Sequence, residues 1–159
     1  MSENPYMQRC LELAQKAAAE DEVPIGAVVV NPQTGEIISE AYNLSEHVLD
    51  ATAHAEISAI RRACEKLGTN RLRGMDLYVT LEPCTMCAAA ISFARIETLY
   101  FGAFDKKGGA VTSGVRFYEA ETCYHKPQVI GGIMEDKCSE ILKNFFKQKR
   151  KKKDLLQKN

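Results

Sequence analysis

Two short segments hold the residues best suited to chemistry, His54-Ala55-Glu56 and Pro83-Cys84-Thr85-Met86-Cys87. A Cys-x-x-Cys pair at a helix start sets both sulfurs on one side of the first turn. The helix dipole and free backbone N–H groups there favour thiolate. An imidazole completes a donor set of two sulfurs and one nitrogen. That set is borderline-soft and suits tetrahedral zinc, with Zn–S near ~2.3 Å and a fourth position left for water. Zinc in such a site lowers the pKa of its water from about 15.7 toward ~7. A carboxylate beside the metal, and not ligating it, can act as general acid and base, and Glu56 is the candidate. Residues two apart lie roughly 200° apart around an ideal helix. His54 and Glu56 can therefore face one site only at a helix end.

The elements that must position these residues follow from periodicity. Met7, Cys10, Leu11, Ala14, Ala17 and Ala18 recur at helical spacing and predict an N-terminal helix ending before Val23-Pro24. Two apolar, β-branched runs, Ile25–Val30 and Ile37–Tyr42, flank the turn residues Asn31-Pro32-Gln33-Thr34-Gly35, which reads as an antiparallel hairpin. Ile57, Ile60, Cys64 and Leu67 mark a helix from about residue 53, stopped by Gly68. A strand over Leu77–Leu81 breaks at Pro83, and a helix follows over about Thr85–Ala94. Then come a strand at Thr98–Gly102, a Gly/Lys-rich loop through Ala110, and a short strand near Val129-Ile130. The last helix carries Cys138, Ile141, Leu142, Phe145 and Phe146 on one stripe and runs into a basic tail. This order predicts a three-layer α/β/α domain, a mixed sheet with helices on both faces, as one unit over residues 1–159.

Composition narrows the setting. At 159 residues, with 45% hydrophobic and 26% charged side chains, the chain is globular. No run approaches the roughly 18 apolar residues of a membrane span. The start, Met-Ser-Glu-Asn-Pro-Tyr, lacks a signal peptide's basic and apolar regions, so a cytoplasmic protein is expected. Of six cysteines, only Cys84 and Cys87 form a tight pair, which argues for metal binding over a disulfide framework. Cys10, Cys64 and Cys138 fall on apolar helical stripes and read as buried small hydrophobes. Met86 reads as packing, Tyr42 as a strand-end aromatic, and His47 as an exposed loop residue. The net charge of zero hides an asymmetry: Lys143–Asn159 holds eight basic residues against one acidic. A basic C-terminal arm, from about residue 135, on an acidic body suits a polyanion, and a solvated tail fits equally well.

His-x-Glu followed by Pro-Cys-x-x-Cys is the signature of zinc-dependent nucleobase deaminases. Either half alone is weak, and both together, each at a helix start, are strong. Asn43, Ala53-His54-Ala55-Glu56, Val79 through Cys87, Phe101-Gly102-Ala103 and Phe145-Phe146 resemble the bacterial tRNA-specific adenosine deaminases in order and spacing, over nearly the whole chain. The resemblance implies a cytidine-deaminase-like fold with a mixed five-stranded sheet and a homodimer with one Zn2+ per subunit. It also implies deamination of the wobble adenosine in an arginine tRNA anticodon, giving inosine. By the same resemblance His54, Cys84 and Cys87 are the zinc ligands, Glu56 the proton shuttle, and Asn43 the residue that hydrogen-bonds the flipped base. Asp105 and Lys107 match positions near the RNA backbone. Phe146, Lys147, Lys149 and Arg150 match a helix packing against the anticodon stem-loop. Ala51, Phe104 and Cys123-Tyr124-His125-Lys126 depart from the commoner family pattern, and Gly108–Phe117 resembles a subgroup.

Two rival functions share the signature. A deaminase of a free base or nucleotide, such as guanine or deoxycytidylate, would use the same zinc chemistry but has less reason for a basic C-terminal helix. A non-catalytic, zinc-stabilised RNA-binding module would need a fourth protein ligand, and Cys123 or His125 would be the donor.

Overall fold

The structure, a computed structural model, describes residues 3–157. Helix α1 spans Pro5–Ala19, with the Asn4 side chain accepting from the Met7 N–H at 2.9 Å to cap it. Strands β1 (Gly26–Val30) and β2 (Ile37–Tyr42) form the hairpin. Helix α2 (Ala55–Leu67) ends at Gly68, whose φ of 67° closes the last turn in the left-handed region. Strand β3 (Asp76–Leu81), helix α3 (Thr85–Phe93) and strand β4 (Thr98–Ala103) form a parallel crossover. A single 3-10 turn at Phe117–Glu119 precedes strand β5 (Gln128–Ile130), and helix α4 covers Glu135–Gln157.

The five strands make one mixed sheet, as expected, and its order is β2-β1-β3-β4-β5. Strand alternation splits the core into two. Ala27, Val29, Leu77 and Val79 face α2 and α3, packing with Ile60, Ile91, Leu99 and Phe101. Val28, Val30 and Tyr78 face the other way, against Met7, Cys10 and Leu13 of α1 and Cys138 of α4.

Helix α2 begins at Ala55, close to the expected start, with His54 as its N-cap. Two expectations change. Cys64 is only half-buried at the rim of the first core, so its stripe position does not make it interior. The basic tail is a continuation of α4 as far as Gln157, because Lys, Arg, Leu and Gln are good helix formers and no Gly or Pro interrupts them. Lys158 and Asn159, and Met1 and Ser2 at the other end, lie outside the described residues. Among the described residues, no helix is long and apolar enough to cross a membrane.

Candidate active site

Strand direction explains why the candidate residues converge. β1 runs antiparallel to both β2 and β3, pairing Gly26 with Tyr42 and Ala27 with Val79. The start of β1 and the ends of β2, β3 and β4 therefore share one edge of the sheet. The segments that leave that edge carry Val23, Asn43, Cys84 and Asp105. Helices α2 and α3 begin there too, which puts two positive helix ends at one place.

His54 and Cys84 are each the N-cap of a helix, with extended backbone (ψ 154° and 176°). This removes the geometric difficulty of His54 and Glu56: only Glu56 is inside α2, so the helical angle between them does not apply. The His54 Nδ1 lies 3.7 Å from Cys84 Sγ and 3.6 Å from Cys87 Sγ. Tetrahedral ligands at ordinary Zn–S and Zn–N lengths would stand about 3.6 Å apart, sulfur to nitrogen. The three donor atoms lie within 4.8 Å of one another, and they fit a tetrahedral dication that keeps one open position.

The electrostatics agree with that donor set. Cys84 is held down at about 4, chiefly by hydrogen bonding from the Cys87 thiol and then from His54. Cys87 is pushed strongly up, because its proton is shared with the Cys84 thiolate and its surroundings are dry. Two thiols competing for one negative charge are what a dication would relieve, since coordination deprotonates thiols outright. Burial raises the Glu56 carboxyl to about 7, with the Cys84 charge adding to the shift. A group at that value can both accept and return a proton near neutral pH.

His54, Glu56, Cys84, Asn43 and Asp105 line one pocket of about 270 Å³, together with Val23, Ile25, Ser45, Leu81, Glu82 and Gly108. Two larger grooves open on either side. One, of about 560 Å³, runs between Glu20–Val23, Ser45–His47 and Phe145, Phe146 and Lys149 of α4. The other, of about 720 Å³, is lined by Phe104–Lys107 and by Leu142, Lys143 and Phe146. Phe146 belongs to both grooves. Lys107 and Lys149 thus flank the pocket, whereas Lys147 and Arg150 line none of these three cavities and stand exposed on α4. Cys123 and His125 do not reach the donor group. The Cys123 thiol points at the His125 carbonyl (3.2 Å), and the His125 ring bonds the Ile96 carbonyl (2.6 Å). Tyr42 packs at the edge of the second core and Met86 is half-buried.

Among the buried carboxylates that escaped the sequence reading, two hold loops at the pocket, Glu22 and Glu82. Glu22 accepts from the backbone N–H groups of Glu46 (3.2 Å) and His47 (2.8 Å), and lies 2.9 Å from His47 Nδ1. His47 is thus tied down at one ring nitrogen although its side chain is 51% exposed. Glu82 accepts from Asp105, Val111, Thr112 and Ser113. The only available signal was a glutamate embedded between a buried strand and Pro83.

A family model described as MafB19-like deaminase matches residues 1–150. A tRNA-specific adenosine deaminase of Agrobacterium fabrum is 57% identical over 145 residues, which is 91% of this chain and 94% of that protein. Its Bacillus subtilis counterpart is 46% identical over 97% of this chain and 94% of its own. A structure solved in a study of A-to-I editing by tRNA:A34 deaminases at the wobble position of transfer RNA superposes with a TM-score of 0.84 at 58% identity, covering 86% of this chain and 98% of that one. A guanine deaminase from Nitrosomonas europaea shares the fold at 23% identity, with a TM-score of 0.78 over 91% of this chain and 86% of its own. With a His/Cys/Cys donor group beside a buried glutamate on this fold, and relatives this close over nearly the whole length, the chain belongs to the tRNA-specific adenosine deaminase family.

Proposed function

We propose that the protein hydrolyses adenosine to inosine at the wobble position of an arginine tRNA anticodon, with one zinc ion held by His54, Cys84 and Cys87. The observation that carries this reading is the pocket in which a donor group fit for zinc and the buried Glu56 meet beneath two grooves bordered by Lys107, Phe146 and Lys149. The bound metal would supply Lewis acidity that makes a water molecule nucleophilic at neutral pH. Glu56 takes the proton from that water and delivers it to the purine ring nitrogen beside the carbon under attack. It then takes the remaining proton of the added hydroxyl and passes it to the amine, so that the C–N bond breaks as the carbonyl forms and ammonia leaves. Asn43, which borders the pocket, would hydrogen-bond the flipped base, and among the described residues its Oδ1 is held only by a long contact from the Ser45 N–H (3.4 Å). The flanking grooves suit the neighbouring nucleotides, with Phe146 offering a stacking face and the lysines meeting phosphates. Activity as a cytoplasmic homodimer belongs to the same proposal.

The test is an arginine tRNA anticodon stem-loop with adenosine at the wobble position, scored for inosine by nucleoside analysis. Free adenosine, free guanine and the Glu56→Ala protein run in parallel. Inosine from the unmodified protein, and none from Glu56→Ala with its zinc retained, is the expected outcome. Ammonia from guanine with no inosine in the stem-loop would move the protein to free-base metabolism.

A further inference from the structure

Glu82 is 2% exposed, directly after the strand that leads to Cys84, and its carboxylate has no cation beside it among the described ion pairs. Five donors from one loop surround it instead. Oε1 accepts from the Asp105 N–H (3.0 Å) and the Ser113 hydroxyl (3.2 Å). Oε2 accepts from the N–H groups of Val111 (3.1 Å), Thr112 (2.9 Å) and Ser113 (3.0 Å). Both ends of the 105–113 segment are thus gathered onto a single carboxylate. Charge-assisted bonds of this kind are roughly twice as strong as neutral ones. The loop also packs so closely that Gly109 has no room for a side chain. A Cβ there would lie 2.5 Å from Glu82 Cδ and 2.7 Å from Oε2.

The gathered loop has a direct bearing on the pocket. Its first residues, Asp105 and Gly108, line the cavity with Glu56 and Cys84. Asp105 in turn accepts from the N–H groups of Lys107 (3.1 Å) and Gly108 (2.9 Å), which stiffens that stretch. β2 and β4 lie on opposite sides of the β1–β3 pair, so the segments that follow them, at Asn43 and at Asp105, bound the pocket from two sides. We propose that Glu82 is a positioning residue that fixes the Asp105–Gly108 wall, and that this wall seats the target adenine against the metal end of the pocket. Glu82 borders the pocket, but all five of its recorded carboxylate contacts go to the 105–113 loop and none to the donor atoms. It acts through the loop, and the loop sets how tightly the base is held. This assignment of a role to the wall rests on the deamination reading above.

Glu82→Gln separates the two ends of the clamp. The amide oxygen can still serve Val111, Thr112 and Ser113, but the NH2 group that replaces Oε1 cannot accept from Asp105. In hydrogen exchange without substrate, the Asp105 amide should exchange at least about tenfold faster, consistent with the loss of roughly 1.4 kcal/mol of protection. Against the wobble-adenosine stem-loop, KM should rise about tenfold while kcat stays within threefold and zinc content is unchanged. A merely architectural glutamate would instead lower kcat in step with the folded fraction and leave KM alone. Gly109→Ala, which presses a methyl group against both the Asp105 carbonyl and the same carboxylate, should reproduce the KM rise, and it tests the wall's role if Glu82→Gln does not fold. Unchanged Asp105 exchange, or an unchanged KM in a folded variant, overturns the proposal. If the unmodified protein itself yields no inosine, the deamination reading has failed, while the exchange measurement still judges the clamp.

Discussion

At the pocket, charge is buried and each charged group has dedicated partners; along α4 beyond Phe146, charge is exposed and shared with water. Glu22, Glu56 and Glu82 are 0%, 4% and 2% exposed, and the first and last are ringed by backbone N–H groups. By contrast, every residue from Phe146 to Gln157 is exposed. Lys149 reaches Asp21 at 2.9 Å and sits 5.6 Å above the Phe145 ring, both at the surface. Burial concentrates the energetic weight of a charge in one group, because removing it leaves partners that water cannot reach. Exposure spreads the weight over many groups, each of little account alone. The chemistry should therefore fail at single substitutions, and RNA affinity should erode in proportion to the number of cations lost.

The largest effect should come from Cys84→Ala. Losing a ligand should empty the metal site and lower turnover by at least about 10³-fold, since the metal supplies several kcal/mol. Metal analysis checks it, and a full complement of zinc in this variant would refute the ligand assignment.

Glu22→Gln tests the buried side of the contrast through stability. Burial alone would raise the Glu22 carboxyl, but the His47 backbone and ring and the Glu46 backbone overcome that and hold it below its usual value. A depressed carboxyl stabilises the fold above its unfolded pKa, about 4.3, and that contribution is lost as pH falls through the folded value. The variant should therefore melt about 5–10 °C below the unmodified protein at pH 7, for a cost of roughly 2–3 kcal/mol. The gap should shrink as pH is lowered toward 3. A gap independent of pH would mean that shape, not charge, holds the 44–48 loop.

The smallest single-site energies, summed, are read by truncation after Phe146. This removes six described cations, from Lys147 through Lys153, and leaves the pocket intact. Stem-loop affinity should fall about tenfold at 0.15 M salt, and the slope of log K against log salt should become shallower by at least ~1, as released phosphate counterions require. An unchanged slope would make the outer turns of α4 a solvated extension and would break the comparison from the other side.

The same contrast explains what could be read from the chain before its fold was known. The donor group and Glu56 were legible because their parts are local: two residues at one helix start, two at another, each announced by a short motif. The strand and helix order was legible because alternation and helical stripes are local too. The clamps at Glu22 and Glu82 were not, since their partners are backbone N–H groups 23 to 31 residues away, and such groups carry no side-chain signature. Cys64 misled because a helical stripe says which face turns inward, and not how far the neighbouring layer extends over it. The tail was ambiguous because lysine-rich sequence is equally at home in a helix and in solvent.

The N-terminal segment meets the start of α4. Asn4 lies against Met134, Lys137 reaches Glu3 at 3.3 Å, and Cys138 packs in one cluster with Met7 and Cys10. All three candidate metal ligands, however, have appeared by Cys87, along with both helices that carry them. As the chain leaves the ribosome N-terminus first, the candidate metal ligands are complete while the covering for α1's side of the sheet has yet to be made. Helix α4 arrives after them, and it closes the second core in the same step by which it is placed beside the pocket.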